Sequence, residues 1–160
     1  MTGVCRKRKT DPVVAIRHPE PDDHARVAAV VDEWWGGRQM RDMLPRLFFV
    51  HFTRTSFVAE EERELVGFLI GFLSQSRLDE AYIHFVGVHP DRRGSGLGRA
   101  LYERFFEAAR ANGRSLVRAV TSPVNEGSIR FHQQMGFDTE YVAENYDGSG
   151  EDRVLFVKRL

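Results

Sequence analysis

The chain of 160 residues has one cysteine, Cys5, so it can form no internal disulfide and no cysteine-based metal site. It also has no net charge, with 23 Lys and Arg against 23 Asp and Glu. That balance argues against a generic nucleic-acid binder, although one dense basic run stands at Arg6–Lys9. No stretch approaches the roughly 18 apolar residues of a membrane span, and no apolar leader is visible. A cytoplasmic protein without a membrane or nucleic-acid partner is therefore expected. The histidines form no H-E-x-x-H pattern and the carboxylates show no ligand spacing, so no metal site is expected. Repeats and low-complexity linkers are absent as well. The expectation is a disordered basic tail over residues 1–11 and a single domain over 12–160.

What is present alternates strand and helix periods, the pattern of a mixed α/β domain built on one sheet. "PVVAIRHP" is a short β-branched run closed by proline. In "EPDDHARVAAVVDEWW" either Asp22 or Asp23 stands where a helix cap belongs, ahead of an apolar face of Val27, Val30, Val31 and Trp34. Gly36 and Gly37 end that helix, and "RQMRDMLPRLFFVHF" is helical in tendency but interrupted by Pro45. "TSFVAEE" and "ELVGFLIGFLSQS" read as a hairpin turning near Glu61 to Arg63, and "AYIHFVGVHP" as the next strand. A helix follows over about Gly96 to Asn112, with Gly113 at the position after its end. "SLVRAVT" is a strand, Asn125 to Met135 a short helix, and "DTEYVAENY" with "RVLFVKRL" a terminal strand pair. The expected order is β-α-α-β-β-β-α-β-α-β-β.

The segment "VGVHPDRRGSGLGRALYERF" carries the chemistry. A strand, a glycine-rich turn and a helix start make an anion site, because the first helical N–H groups have no intrahelical partner and the helix dipole favours negative charge there. Glycine allows φ > 0 and close approach of the backbone, while Arg92, Arg93 and Arg99 add positive charge. A P-loop requires Gly-Lys-Ser/Thr, but Arg99 and Ala100 follow Gly98. A dinucleotide fingerprint fails from Gly94 and again from Gly96. The spacing that fits is R-x-x-G-x-G, formed by Arg93, Gly96 and Gly98.

That spacing, the preceding "FVGV" and the downstream "NEGSIRFHQQMGF" resemble the GCN5-related N-acetyltransferase (GNAT) superfamily. The resemblance covers roughly residues 16–160 and is strongest between Tyr82 and Phe137. It implies a mixed, mostly antiparallel sheet splayed near the cofactor, with helices on both faces. It further implies acetyl transfer from acetyl-CoA directly to an amine, which is either a small molecule or a protein or peptide amine. Members often form homodimers. By the same resemblance, the backbone of Arg93, Gly94, Gly96, Gly98 and Arg99 holds the pyrophosphate. Val86 and Val88 offer backbone groups to the pantetheine, and an N–H at about Val88 polarises the thioester carbonyl. Asn125 and, more weakly, Ser128 contact the cofactor. The superfamily commonly bulges this strand, and Gly87 is suited to the bulge.

An amine attacks a thioester only when neutral, so a proton must leave near pH 7. Tyr82 and His84 alternate along the strand before the loop and share a face if no bulge intervenes. The family places a base, or a residue ordering a proton-carrying water, at these two positions. His84 is the better base because its ordinary pKa is near working pH; as a histidine in an apolar strand it is also read as a core residue. The tyrosine that many members use to protonate the leaving thiolate is replaced by His132. His132 is read either as a catalytic or thiol-contacting group or as a packing residue. The acceptor is expected between the early helices and the last strand pair, beside Trp34, Trp35, Phe48 and Phe52, with Asp147, Glu151 or Asp152 able to attract a cation. The alternative is a coenzyme-A-binding sensor or regulatory module on the same fold, without turnover.

Overall fold

The computed structural model describes residues 13–160. The expected basic tail, with Cys5 and the Arg6–Lys9 run, lies outside the described residues. Strands β1 (Ala15–Arg17), β2 (Phe57–Glu61), β3 (Glu64–Leu73), β4 (Glu80–Val88), β5 (Leu116–Thr121), β6 (Asp138–Ala143) and β7 (Arg153–Arg159) form one sheet in the order β1-β2-β3-β4-β5-β7-β6. Every neighbouring pair is antiparallel except β4 and β5. The helices are α1 (Asp23–Trp34), α2 (Phe48–His51), α3 (Leu97–Ala111) and α4 (Glu126–Gln134). No helix among the described residues is long and apolar enough to cross a membrane.

The sheet separates two cores. On one face α3 lays Leu97, Leu101, Phe105 and Ala109, spaced four apart, against Leu69, Ala81, Ile83 and Val117. Full burial of each large apolar side chain contributes about 1.5–3 kcal/mol. Gly71 admits this helix, since a Cβ there would stand 2.3 Å from Phe105 Cε2. On the other face Val27, Val31 and Trp34 of α1 meet Phe68, Ile70 and Phe85.

Local chemistry alters three expectations. Asp22 occupies the cap position of α1 without a side-chain cap bond. Asp23 is instead buried, accepting from the Glu20 N–H at 2.8 Å and pairing with Arg17 and Arg26. Burial opposes the Asp23 carboxylate, but the hydrogen bonds from Arg17, Glu20 and Arg26 outweigh it and lower its pKa. The segment around Pro45 forms one-turn 3-10 helices at Arg41–Met43 and Thr53–Thr55 on either side of the four-residue α2, not a continuous helix.

The third expectation is the bulge in β4, and its position changes. Ile70 pairs with Phe85 and Gly71 with Ile83, so His84 is the extra residue. Gly87 lies in regular register with Phe68. Glycine is needed there for space, because a Cβ would fall 2.5 Å from Phe68 Cε1.

Candidate active site

The bulge decides where the β4 side chains go. Ala81 and Ile83 join the α3 core, Phe85 joins the α1 core, and Val86 returns to the α3 side. His84 stacks on Phe48 with centroids 4.7 Å apart, and Tyr82 stacks on Phe72 at 5.3 Å. Tyr82 and His84 thus share the α1–α2 face despite the bulge. Phe52 bridges their partners, lying 5.2 Å from Phe48 and 5.6 Å from Phe72.

His84 Nε2 lies 2.9 Å from the Met43 carbonyl, which can only accept, so Nε2 carries the proton. Nδ1 has no hydrogen-bond partner among the described residues. Burial lowers the pKa of His84 and the Met43 bond only partly opposes it, so the ring is neutral near pH 7 with a free lone pair on Nδ1. The Tyr82 phenol is pushed up to about 12, mainly by burial and then by nearby Tyr146 and Asp147. It stays protonated at neutral pH and can donate but not act as a base.

Beyond Tyr82 the sheet opens. β4 and β5 pair only from Glu80–Tyr82 to Leu116–Arg118, after which β5 follows β7 alone. Arg118 closes the paired end, its Nε 2.9 Å from Glu80 and its Nη1 2.6 Å from Glu140. The His89 N–H bonds to the Val66 carbonyl in β3 at 2.9 Å. Peptide groups alternate along a strand, so the N–H groups of Val88 and Val86 point to the edge that β5 has left.

The glycine loop stands at the mouth of this opening. Gly94 and Gly96 have φ of +77° and +87°, with nothing within 4 Å of where a Cβ would be. These positions require glycine for conformation, and the space beside them is open. The Ala100 N–H closes on the Gly96 carbonyl at 3.0 Å, leaving the amides of Leu97, Gly98 and Arg99 without an intrahelical acceptor. This open cradle fits the diphosphate of coenzyme A.

Two of the three loop arginines have partners within the protein. Arg92 pairs with Glu61, and Arg93 donates to the carbonyls of Trp34 and Val88, so both buttress the loop. Arg99 remains exposed at the helix start. An open cleft of about 620 Å³ borders Arg92 between α1 and the β2–β3 turn, but neither His84 nor the glycines line it.

At the far side of the opening, Asn125 caps α4 by accepting from the Ser128 N–H at 3.1 Å. His132, one turn further on, is not brought to His84. It is buried and stacks on Phe156 at 4.4 Å. Its Nδ1 donates to the Ser128 carbonyl at 2.8 Å, and its Nε2 accepts from the Tyr102 hydroxyl at 3.0 Å. Burial lowers its pKa and pushes the Tyr102 phenol well above its ordinary value. A histidinium donor is therefore not what this environment holds. Tyr102 stands on α3 and reaches His132 on α4 through this bond.

On the acceptor side Trp34 is a core residue, whereas Trp35 reaches Phe85 at 4.9 Å. The expected acidic attractors are already engaged. Arg153 pairs with Asp147 at 2.7 Å and Glu151 at 3.1 Å, and Asp152 accepts from the Asn145 N–H.

Comparison with known proteins agrees with this architecture. The chain is 35% identical over 78 residues to an L-2,4-diaminobutyric acid acetyltransferase of Nocardia farcinica, covering 49% of this chain and 40% of that one. The chain spans less than two thirds of the length of the curated relatives it matches. Its fold matches Ard1 from Thermoplasma volcanium with a TM-score of 0.80, 22% identity and coverage of 92% and 97% of the two chains. It also matches diaminobutyrate acetyltransferase EctA from Paenibacillus lautus, solved with L-2,4-diaminobutyric acid and coenzyme A, with a TM-score of 0.72, 24% identity and coverage of 91% and 94%. The acetyltransferase (GNAT) family model matches residues 16–137, the span that holds the parting of β4 from β5, the glycine cradle and α4, and the chain belongs to that family.

Proposed function

We propose that this protein transfers an acetyl group from acetyl-CoA to a primary amine, without a covalent enzyme intermediate. The observation that carries the reading is the opening of β4 from β5 beside a left-handed glycine cradle at the start of α3. Relatives named as acetyltransferases, one solved with coenzyme A, support the choice of donor.

Bound acetyl-CoA would supply a thioester that a neutral amine can attack, with a thiolate as leaving group. The amides of Leu97, Gly98 and Arg99, with the backbone at Gly94 and Gly96, would hold the diphosphate. The Val86 and Val88 backbone would line the pantetheine, and a fixed N–H at Val88 would stabilise negative charge that develops only in the transition state. His84 Nδ1 would take the amine proton, directly or through one water. Tyr82, protonated throughout, would donate a hydrogen bond to that water or to the amine. Asn125 and Ser128 would border the cofactor at the start of α4. No donor to the thiolate is assigned among these residues; a thiolate can depart unaided and take its proton from water. The acceptor is a small amine or a peptide amine, and the cytoplasm, where acetyl-CoA is available, is the fitting site of action.

The test is calorimetric titration of acetyl-CoA, with ATP and NAD as controls, followed by free-thiol release on a panel of amines. Selective binding with amine-dependent thiol release is expected. Binding without turnover on any amine would favour the sensor or regulatory reading, and absence of binding by folded protein would overturn both.

A further inference from the structure

We propose that the acceptor side of this site takes an amine carried on an apolar or aromatic group, in preference to a zwitterionic amino acid or a polyamine. The inference rests on the acetyltransferase reading above. Its basis is an aromatic ladder that begins at the proposed base: His84 on Phe48, Phe48 by Phe52, Phe52 by Phe72, and Phe72 on Tyr82. All five rings are half-buried, so the ladder is a wall reaching solvent and not a closed core. Met43 and Leu47, both nearly half exposed, lie on the connection that carries Phe48.

Aromatic rings also bind cations, so geometry must decide between the two uses. Cation–π attraction needs an open ring face. Here His84 lies 18° from the plane of Phe48 and Phe72 lies 21° from that of Tyr82, so each of these four rings has one face covered by its partner. That leaves fewer open faces for an ammonium, and the ring edges, whose partial charge is positive, suit an apolar group better.

Charge at the rim points the same way. Asp147 and Arg153 are charged groups whose field reaches the Tyr82 phenol. Arg153 spends its guanidinium on Asp147, Glu151 and the Asp152 carbonyl. Those carboxylates offer little to a second ammonium, and that arginine offers little to a substrate carboxylate. A diaminobutyrate-like acceptor has both groups to satisfy. An apolar amine has neither, and the low-polarity wall favours the neutral amine that attacks.

The test compares 2-phenylethylamine, 3-methylbutylamine, spermidine, L-2,4-diaminobutyrate and two short peptides, one beginning with Phe and one with Asp, at saturating acetyl-CoA. The expected result is a kcat/KM at least tenfold higher for the apolar amines, on the scale by which apolar pockets discriminate. The Phe peptide against 2-phenylethylamine tells whether the apolar amine comes from a chain terminus or a free small molecule. Phe52→Ala should raise KM for 2-phenylethylamine about tenfold with acetyl-CoA affinity unchanged. Phe52→Leu, which keeps an apolar side chain there, should recover most of the loss. Turnover that favours spermidine or diaminobutyrate, or a Phe52→Ala enzyme of unchanged preference, overturns this inference alone. Acetyl-CoA binding without turnover on any amine overturns the acetyltransferase reading and this inference with it.

Discussion

His84 and His132 lie on opposite faces of the same sheet, and burial lowers the pKa of both. They differ in what surrounds the second ring nitrogen. His84 gives one nitrogen to the Met43 carbonyl and keeps the other open beside half-buried aromatic rings. His132 has both nitrogens engaged, by Ser128 and Tyr102, and its ring sealed against Phe156. Equal residue types with pKa shifts in the same direction can thus leave a ring nitrogen open in one place and engage both in another. Accessibility of a lone pair separates the two, and a shifted pKa alone does not.

The comparison breaks first at His84. His84→Ala should lower kcat/KM by about 10²–10⁴, the usual contribution of a positioned base, while calorimetry finds acetyl-CoA affinity unchanged. A variant with near wild-type turnover would move the proton to another group. The next effect is at His132. Tyr102→Phe leaves His132 Nε2 buried and unsatisfied, at a cost of about 1–3 kcal/mol in denaturant unfolding, with kcat at saturation preserved. If kcat instead collapsed while stability held, His132 would be acting on the thiolate after all.

The smallest effect is a shared one on pH. A histidine whose pKa is depressed on folding binds fewer protons folded than unfolded, so its contribution is complete above the ordinary value of 6.5. Stability should therefore decline as pH falls from about 6.5 through the folded-state values of the two rings. The acid limb of kcat/KM should also lie below 6.5 and follow His84 alone. Thermal melts and pH–rate profiles of wild type and His84→Ala would separate the two histidines.

Much of this was legible in the chain. The glycines of the cradle can be read because left-handed backbone and a helix start depend on local residue types, and Gly94 and Gly96 both adopt φ > 0. The strand and helix order follows from periodicity for the same reason. The bulge was expected in the right strand but at Gly87, because glycine marks both bulges and close contacts. Which of these applies is settled by Phe68, a residue on another strand. The surroundings of His132 were not legible, since Tyr102 lies 30 residues away. Tertiary partners decide such cases, and sequence spacing does not encode them.

The brief parallel contact between β4 and β5 has a mechanical consequence. Three register pairs, Glu80 with Leu116 through Tyr82 with Arg118, bind two sets of pages along a short spine: β1–β4 on one side and β5, β7 and β6 on the other. A molecule lodged between the pages works as a splint, replacing ladder bonds the sheet itself does not make. Amide exchange in β6 and β7 should then slow when the slot is filled, which hydrogen exchange with and without acetyl-CoA would check. A ligand in that gap would make its presence felt at the edge of the sheet.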